Sequence, residues 1–123
     1  MTKNKTILIV EDEPQFQAIL KTALDNQGLT TIQARNGQQA LALLPTKSVN
    51  LIVLDLLMPE MDGWEFINKL QETTYNKIPI LILTNQPHAG YPADISTPID
   101  FMTKTNHSIK EVVDKIKNLV HLK

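Results

Sequence analysis

The chain has 123 residues, with 42% apolar and 20% charged positions, the profile of one ordinary globular domain rather than a fibrous or disordered one. Twelve Lys and Arg against thirteen Asp and Glu leave a net charge of −1. That balance gives no electrostatic footprint for direct nucleic-acid binding or an anionic membrane surface. Cysteine is absent, which removes disulfides, thiolate chemistry and Cys-based metal sites. No run of about 18 apolar residues offers a membrane span, and the first six residues lack the apolar core of a signal peptide. A cytoplasmic protein with one domain over residues 1–123 is the expectation.

In chain order, the first apolar run is Ile7-Leu8-Ile9-Val10. It is continuous rather than alternating, as a strand covered on both faces requires. Phe16, Ile19, Leu20, Ala23 and Leu24 then recur at helical spacing, with Pro14 suited to the first turn and Gly28 to the helix end. Thr30 to Arg35 is a weaker strand candidate. Asn36 can cap a second helix carrying Ala40, Leu41, Leu43 and Leu44 and stopping at Pro45. A second continuous run, Leu51-Ile52-Val53-Leu54, precedes a helix capped by Asp62 with Phe66, Ile67 and Leu70. A third run, Ile80-Leu81-Ile82-Leu83, is followed by Pro87, Gly90, Pro92 and Pro98, so the fourth helix is expected to be short, displaced or absent. Ile99 to Met102 is the last strand candidate. Ser108 and Glu111 have capping-box spacing ahead of the stripe Ile109, Val112, Val113, Ile116 and Leu119. Strand and helix alternate about five times, which argues for an α/β fold with a parallel sheet between helices.

Ligands of such sheets bind beyond the carboxyl ends of the strands. Glu11-Asp12 follows the first run, Asp55 the Leu51 run, Thr84 the Ile80 run, and Lys104 the last strand. Three carboxylates crowded on one rim repel unless a cation sits among them. With no Cys and no suitably placed His, a hard oxygen-ligand ion such as Mg²⁺ fits. Lys104 as a point charge and Thr84 as a hydroxyl donor suit the other side of a phosphoryl group. The set therefore reads as phosphoryl transfer, with Asp55 as the best candidate nucleophile because it ends the central strand.

The residues Ile7 to Pro14, Leu51 to Gly63, Thr84 after its apolar run, and Phe101-Met-Thr-Lys104 together resemble a bacterial two-component response-regulator receiver domain of the chemotaxis-regulator type. The resemblance covers essentially the whole chain. It implies a doubly wound five-stranded parallel sheet in the order 2-1-3-4-5, flavodoxin-like. It implies that Asp55 accepts a phosphoryl group from the phosphohistidine of a sensor histidine kinase or phosphotransfer protein. Asp12 and Asp55 would ligate Mg²⁺, with Glu11 acting directly or through water and the Leu57 backbone carbonyl completing the protein ligands. Thr84 and Lys104 would hold phosphoryl oxygens, Phe101 would be the aromatic switch, and Met58-Pro59 and Gly63 would shape the following loop. The implied activity is that of a signalling switch in phosphorelay signal transduction that catalyses its own phosphorylation and dephosphorylation, not of a metabolic enzyme. With no output domain in the 123 residues, output is expected through an unknown downstream protein partner or by onward relay, from a monomer or weak homodimer.

Several residues depart from the family pattern. Lys104 is usually followed by a cis proline, but here by Thr105. A cis bond to a non-proline residue costs about 3–4 kcal/mol, so a trans bond or a rearranged loop is expected. The usually small residue after Thr84 is Asn85, expected to narrow access to the acyl phosphate. Leu57 and Gln86 occupy positions that tune dephosphorylation, and an apolar Leu57 cannot orient a water, which predicts a long-lived phosphoryl state. The Pro/Gly-rich stretch 85–98 lies in the family's usual output surface, and predicts output through another face or ordering on phosphorylation. A pseudo-receiver that has lost switching is the alternative, fed by Thr105 and the 85–98 stretch and opposed by the intact Glu11, Asp12, Asp55, Thr84 and Lys104. A phosphatase of the haloacid-dehalogenase type needs an acid where Leu57 stands. Trp64, Met58 and Met61 read as packing residues, Phe101 as core, switch or both, and His88, His107 and His121 as surface residues without ligand spacing.

Overall fold

A computed structural model describes residues 5–58, 61–85, 95–105 and 107–120. The strands are β1 (Thr6–Val10), β2 (Thr30–Ala34), β3 (Leu51–Leu54), β4 (Ile80–Thr84) and β5 (Ile99–Thr103). The helices are α1 (Pro14–Asp25), α2 (Gly37–Leu43), α3 (Gly63–Leu70) and α4 (Ile109–Leu119), with a 3₁₀ turn at Leu44–Thr46. All four strand pairings are parallel, in the order β2-β1-β3-β4-β5. This is the expected flavodoxin-like doubly wound sheet, and its order reverses direction between β1 and β3.

The three continuous apolar runs are the three central strands. Every residue of β3 and β4 is buried, as are Ile7 to Val10 of β1. Edge strands β2 and β5 are half-exposed, which is why their sequence signals are weaker. Alternate side chains feed two cores. Leu8, Val10, Ile52, Leu54, Ile80 and Ile82 pack with Phe66, Ile67 and Leu70 of α3. Ile7, Ile9, Val53, Leu81 and Leu83 pack with Leu20 and Leu24 of α1 and Val112, Val113 and Ile116 of α4. Full burial of each such aliphatic side chain contributes roughly 1.5–3 kcal/mol.

The helix starts follow the sequence. Asn36 Oδ1 accepts from Gln39 N–H and Asp62 Oδ1 from Glu65 N–H, while Ser108 and Glu111 form a reciprocal capping box. Pro14 opens α1, and Gly28 turns the chain into β2 at φ +79°. Ile19, on the apolar spacing of α1, is 52% exposed, because the buried stripe runs through Gln17, Leu20 and Leu24. α2 ends at Leu43, ahead of Pro45 as expected, and Pro45 sits inside the following 3₁₀ turn, where its missing N–H costs nothing. The expected short or irregular fourth helix lies mostly outside the described residues. What is described after it is anchored: Gln71 Nε2 donates to Thr97 Oγ1, and Thr97 Oγ1 donates to the Asn76 carbonyl.

Candidate functional site

The carboxyl ends of β1, β3, β4 and β5 surround a cleft of about 450 Å³. Its lining includes Glu11, Asp12, Asp55, Leu57, Thr84, Asn85 and Lys104. The structure thus brings together every residue that the sequence placed on the rim. One carboxylate oxygen from each of Glu11, Asp12 and Asp55 lies within 4.8 Å of the others. A hard divalent cation bridging such a set is the donor chemistry Mg²⁺ prefers.

Local structure fixes these carboxylates. Glu11 is buried; its Oε2 accepts from Glu13 N–H at 3.0 Å and its backbone N–H donates to the Ala34 carbonyl. Gln17, a buried residue that the periodicity did not mark, donates its amide to the carbonyls of Glu11 at 2.9 Å and Ala34 at 2.8 Å. One side chain thereby clamps the β1 end, the β2 end and α1. Asp55 is 8% exposed, and its Oδ1 accepts from Leu57 N–H at 3.3 Å. Gly63 N–H donates to the Leu56 carbonyl at 2.9 Å. A Cβ on Gly63 would stand 2.7 Å from Leu56 Cα and 2.9 Å from the Asp55 carbonyl oxygen. Only glycine permits that approach, which seats α3 directly behind Asp55.

Opposite the carboxylates, Lys104 Nζ lies 2.5 Å from Glu11 Oε1, 3.1 Å from Asp55 Oδ2 and 3.9 Å from the exposed Glu13 carboxylate. It also stands 4.6 Å above the Phe16 ring centroid. Burial opposes the Lys104 charge, yet the Glu11 hydrogen bond and the negative charge of Asp55 outweigh it and hold the ammonium above its ordinary pKa. Burial pushes the Glu11 carboxyl above its ordinary value, and the Asp55 charge adds to the rise; the Lys104 and Glu13 hydrogen bonds oppose it without cancelling it. One amine is therefore shared by two buried carboxylates.

No cis peptide bond occurs among the described residues, so the Lys104–Thr105 bond is trans, as expected, and Lys104 still reaches Asp55. Thr84 is buried at the end of β4, and Asn85 accepts a hydrogen bond from Thr105 N–H. Leu57 is 64% exposed beside the cleft. Phe101 is half-buried against the α3-side core, its ring centroid 6.3 Å from that of Trp64, and Met58 and Met61 are buried in the same core. His107 is half-buried, its Nδ1 3.0 Å from the Thr103 carbonyl; His88, His121 and Gln86 lie outside the described residues. The sequence did not reveal the roles of Gln17 and Phe16. Their positions on the first turns of α1, just after Glu11-Asp12, were the available signal.

A doubly wound parallel sheet whose switch-point cleft holds three acids facing one amine has the form of a site for a divalent ion and a phosphoryl group. Comparison with known proteins narrows this. The response regulator receiver domain family matches residues 7–117. The transcriptional regulatory protein SrrA of Staphylococcus aureus is 40% identical over 116 residues, covering 93% of this chain and 47% of SrrA. The chain spans about a third to a half of the length of the curated relatives it matches. Among solved structures, the receiver domain of Francisella response regulator 1452 superposes with a TM-score of 0.82 at 28% identity, covering 96% of this chain and 98% of that one. The response regulator TrrA of Thermotoga maritima, solved with Mg²⁺ and BeF, gives 0.75 at 26% identity, covering 94% and 98%. The chain belongs to the response regulator receiver domain family of two-component systems. Receiver domains of this family are phosphorylation-based signalling switches. Receiver domains take their phosphoryl group from histidine kinases or phosphotransfer proteins and bind Mg²⁺ in the acidic pocket, and the Glu11, Asp12 and Asp55 donor set suits that ion. No described helix is long and apolar enough to cross a membrane.

Proposed function

We propose that Asp55 is the phosphoacceptor, that Glu11, Asp12, Asp55 and the Leu57 carbonyl hold Mg²⁺, and that Thr84 and Lys104 bind the phosphoryl oxygens. The observation that carries this reading is the shared amine: Lys104 Nζ bridges Asp55 and Glu11 within a cluster of three acids. An Asp55 carboxylate oxygen attacks the phosphorus of a donor phosphohistidine. A P–O bond forms, the P–N bond breaks, and its electron pair returns to the imidazole nitrogen. When bound by these residues, Mg²⁺ would supply charge neutralisation for the transferring group. Lys104, kept cationic by its two partners, stands where negative charge gathers, and the buried Thr84 hydroxyl at the cleft wall offers a donor. The chain therefore catalyses its own phosphorylation.

The same reading extends to output and lifetime. Phe101, half-buried beside Trp64, is the aromatic that responds to the Thr84 side of the site. The Leu57 side chain presents no polar atom to orient a hydrolytic water, so the acyl phosphate persists; decay within seconds in the presence of Mg²⁺ would contradict this. Residues 1–123 act as one cytoplasmic receiver domain that takes phosphoryl groups from a sensor histidine kinase or phosphotransfer protein and signals through a downstream protein. The decisive experiment is labelling by acetyl phosphate with Mg²⁺, the modified residue identified by mass spectrometry. Label is expected on Asp55 and lost in Asp55→Asn; label on another residue overturns the assignment.

A further inference from the structure

Lys104 acts at a distance from its backbone, so its reach depends on how the chain around it is held. The β4–β5 ladder ends with the pairing of Thr84 and Thr103. Beyond that rung, Lys104 N–H donates to the Thr84 carbonyl at 3.3 Å, and Thr105 N–H donates to Asn85 Oδ1 at 3.1 Å. The backbone on both sides of the Lys104 Cα is thus tied to two consecutive residues at the end of β4. The second tie comes from a side chain, because the ladder has run out. It needs a donor at 105, which a proline could not supply. It also needs an acceptor at 85, which an alanine or glycine could not supply.

We propose that Asn85 is a positioning residue: by accepting the Thr105 amide it latches the trans Lys104–Thr105 segment to the end of β4 and holds the Lys104 ammonium over Asp55. Asn85 and Thr105 work as a pair, each requiring the other. The latch rests on the assignment of Asp55 as phosphoacceptor. Both residues are exposed, so their loss leaves no buried polar group and the fold is kept. The latch also separates this role from crowding of the cleft, which Asn85 lines. If Asn85 merely narrowed access, removing its bulk would speed the reaction.

The test compares wild type, Asn85→Ala, Asn85→Leu, Thr105→Pro and the double variant Asn85→Ala/Thr105→Pro in the full chain. The readouts are the rate of Asp55 labelling by acetyl phosphate and the Mg²⁺ affinity by calorimetry. Both Asn85→Ala and Asn85→Leu are expected to slow labelling by about fivefold, the worth of one modest hydrogen bond in a rate. Mg²⁺ affinity is not lowered, since Lys104 is not a ligand and a loosened amine competes less with the ion for Glu11 and Asp55. Asn85→Ala makes no further difference in the Thr105→Pro background, where the donor is already gone. Should Thr105→Pro not fold, the bulk-retaining Asn85→Leu still decides between latch and crowding. Faster labelling in Asn85→Ala, an unchanged rate, an equal loss in the Thr105→Pro background, or a parallel loss of Mg²⁺ affinity each overturns the latch. Wild type labelled at a residue other than Asp55 overturns the phosphoacceptor assignment first, and the latch with it.

Discussion

The acidic and basic halves of the cleft rim are built by different means. The acidic half, at the ends of β1 and β3, is fastened by two local bonds, Glu11 to Glu13 N–H and Asp55 to Leu57 N–H, and by the buried Gln17 amide across two carbonyls. The basic half, at the ends of β4 and β5, depends on contacts between distant segments: Lys104 to Glu11, Asp55 and the Phe16 face, and Thr105 to Asn85. Mutually repelling charges demand a stiff frame, because displacement relieves them. A single flexible amine needs only to be aimed.

The sharpest way to break this contrast is to remove the amine. Lys104→Met leaves Glu11 and Asp55 buried without their cation, which should destabilise the metal-free protein by about 3 kcal/mol. Saturating Mg²⁺ should restore much of that loss while leaving phosphorylation strongly impaired. Because Lys104 is held above its ordinary pKa, its contribution is present below pH 10.5 and is lost as the pH rises through the folded value. The deficit of Lys104→Met against wild type should therefore be largest with both partners charged, close at strongly alkaline pH as the amine deprotonates, and shrink on acidification as Glu11 is protonated. Thermal unfolding with and without Mg²⁺ measures both; a deficit that persists undiminished at acid pH, where Glu11 is neutral, would contradict the assigned pairing.

The frame is tested from the other side at Gly63. Gly63→Ala drives a methyl into Leu56 and the Asp55 carbonyl, so about 2–3 kcal/mol of stability should be lost with the acids themselves untouched. Chemical denaturation gives the figure. Equal stability would mean that α3 can retreat and that the close approach behind Asp55 is not required.

The same division explains what could be read without a structure. The acidic half was legible because its residues sit in contiguous strings, directly after the apolar runs that became β1 and β3. The parallel sheet was legible because burial on both faces leaves continuous apolar runs with no competing period. The caps at Asn36, Asp62 and Ser108 were legible because each needs only residues three apart. What escaped was long-range. Nothing in the spacing of Asn85 and Thr105, 20 residues apart, or of Phe16 and Lys104 announces a contact. Ile19 shares the helical spacing of Leu20 and Leu24 yet is exposed, because helical periodicity defines a stripe but not which of its margins the neighbouring elements cover.

Glu11 links the two halves, and its pKa sets a sign. Burial raises the folded value above 4.5, so the carboxylate is less favourable in the fold than in the unfolded chain. Its contribution to stability is fully present below 4.5 and is lost as the pH rises through the folded value. In EDTA at neutral pH, Glu11→Gln should therefore be more stable than wild type, and the advantage should vanish on acidification below 4.5. Mg²⁺ should reverse the order, because a neutral amide is a poorer ligand for a hard cation. Thermal melts across the acidic and neutral range in EDTA and in Mg²⁺ check this. A wild type that is the more stable protein in EDTA at neutral pH would show that the Lys104 pairing outweighs the burial of Glu11.

The smallest effect concerns the aim of the amine. Phe16 is half-buried against the α1–α4 core and offers its ring face to Lys104 Nζ at 4.6 Å. Phe16→Leu keeps most of the apolar bulk and removes the ring quadrupole, so a loss of about 0.5–1 kcal/mol is expected from the cation–π contact alone. Packing changes contribute as well, so the single substitution does not isolate the contact. The isolating measurement is a double-mutant cycle with Lys104→Met. If the ring acts on the ammonium, Phe16→Leu costs less stability in the Lys104→Met background than in wild type. A cost equal in both backgrounds would assign Phe16 to the core alone. The basic half would then be aimed only by Glu11, Asp55 and the chain ties at Thr84 and Asn85.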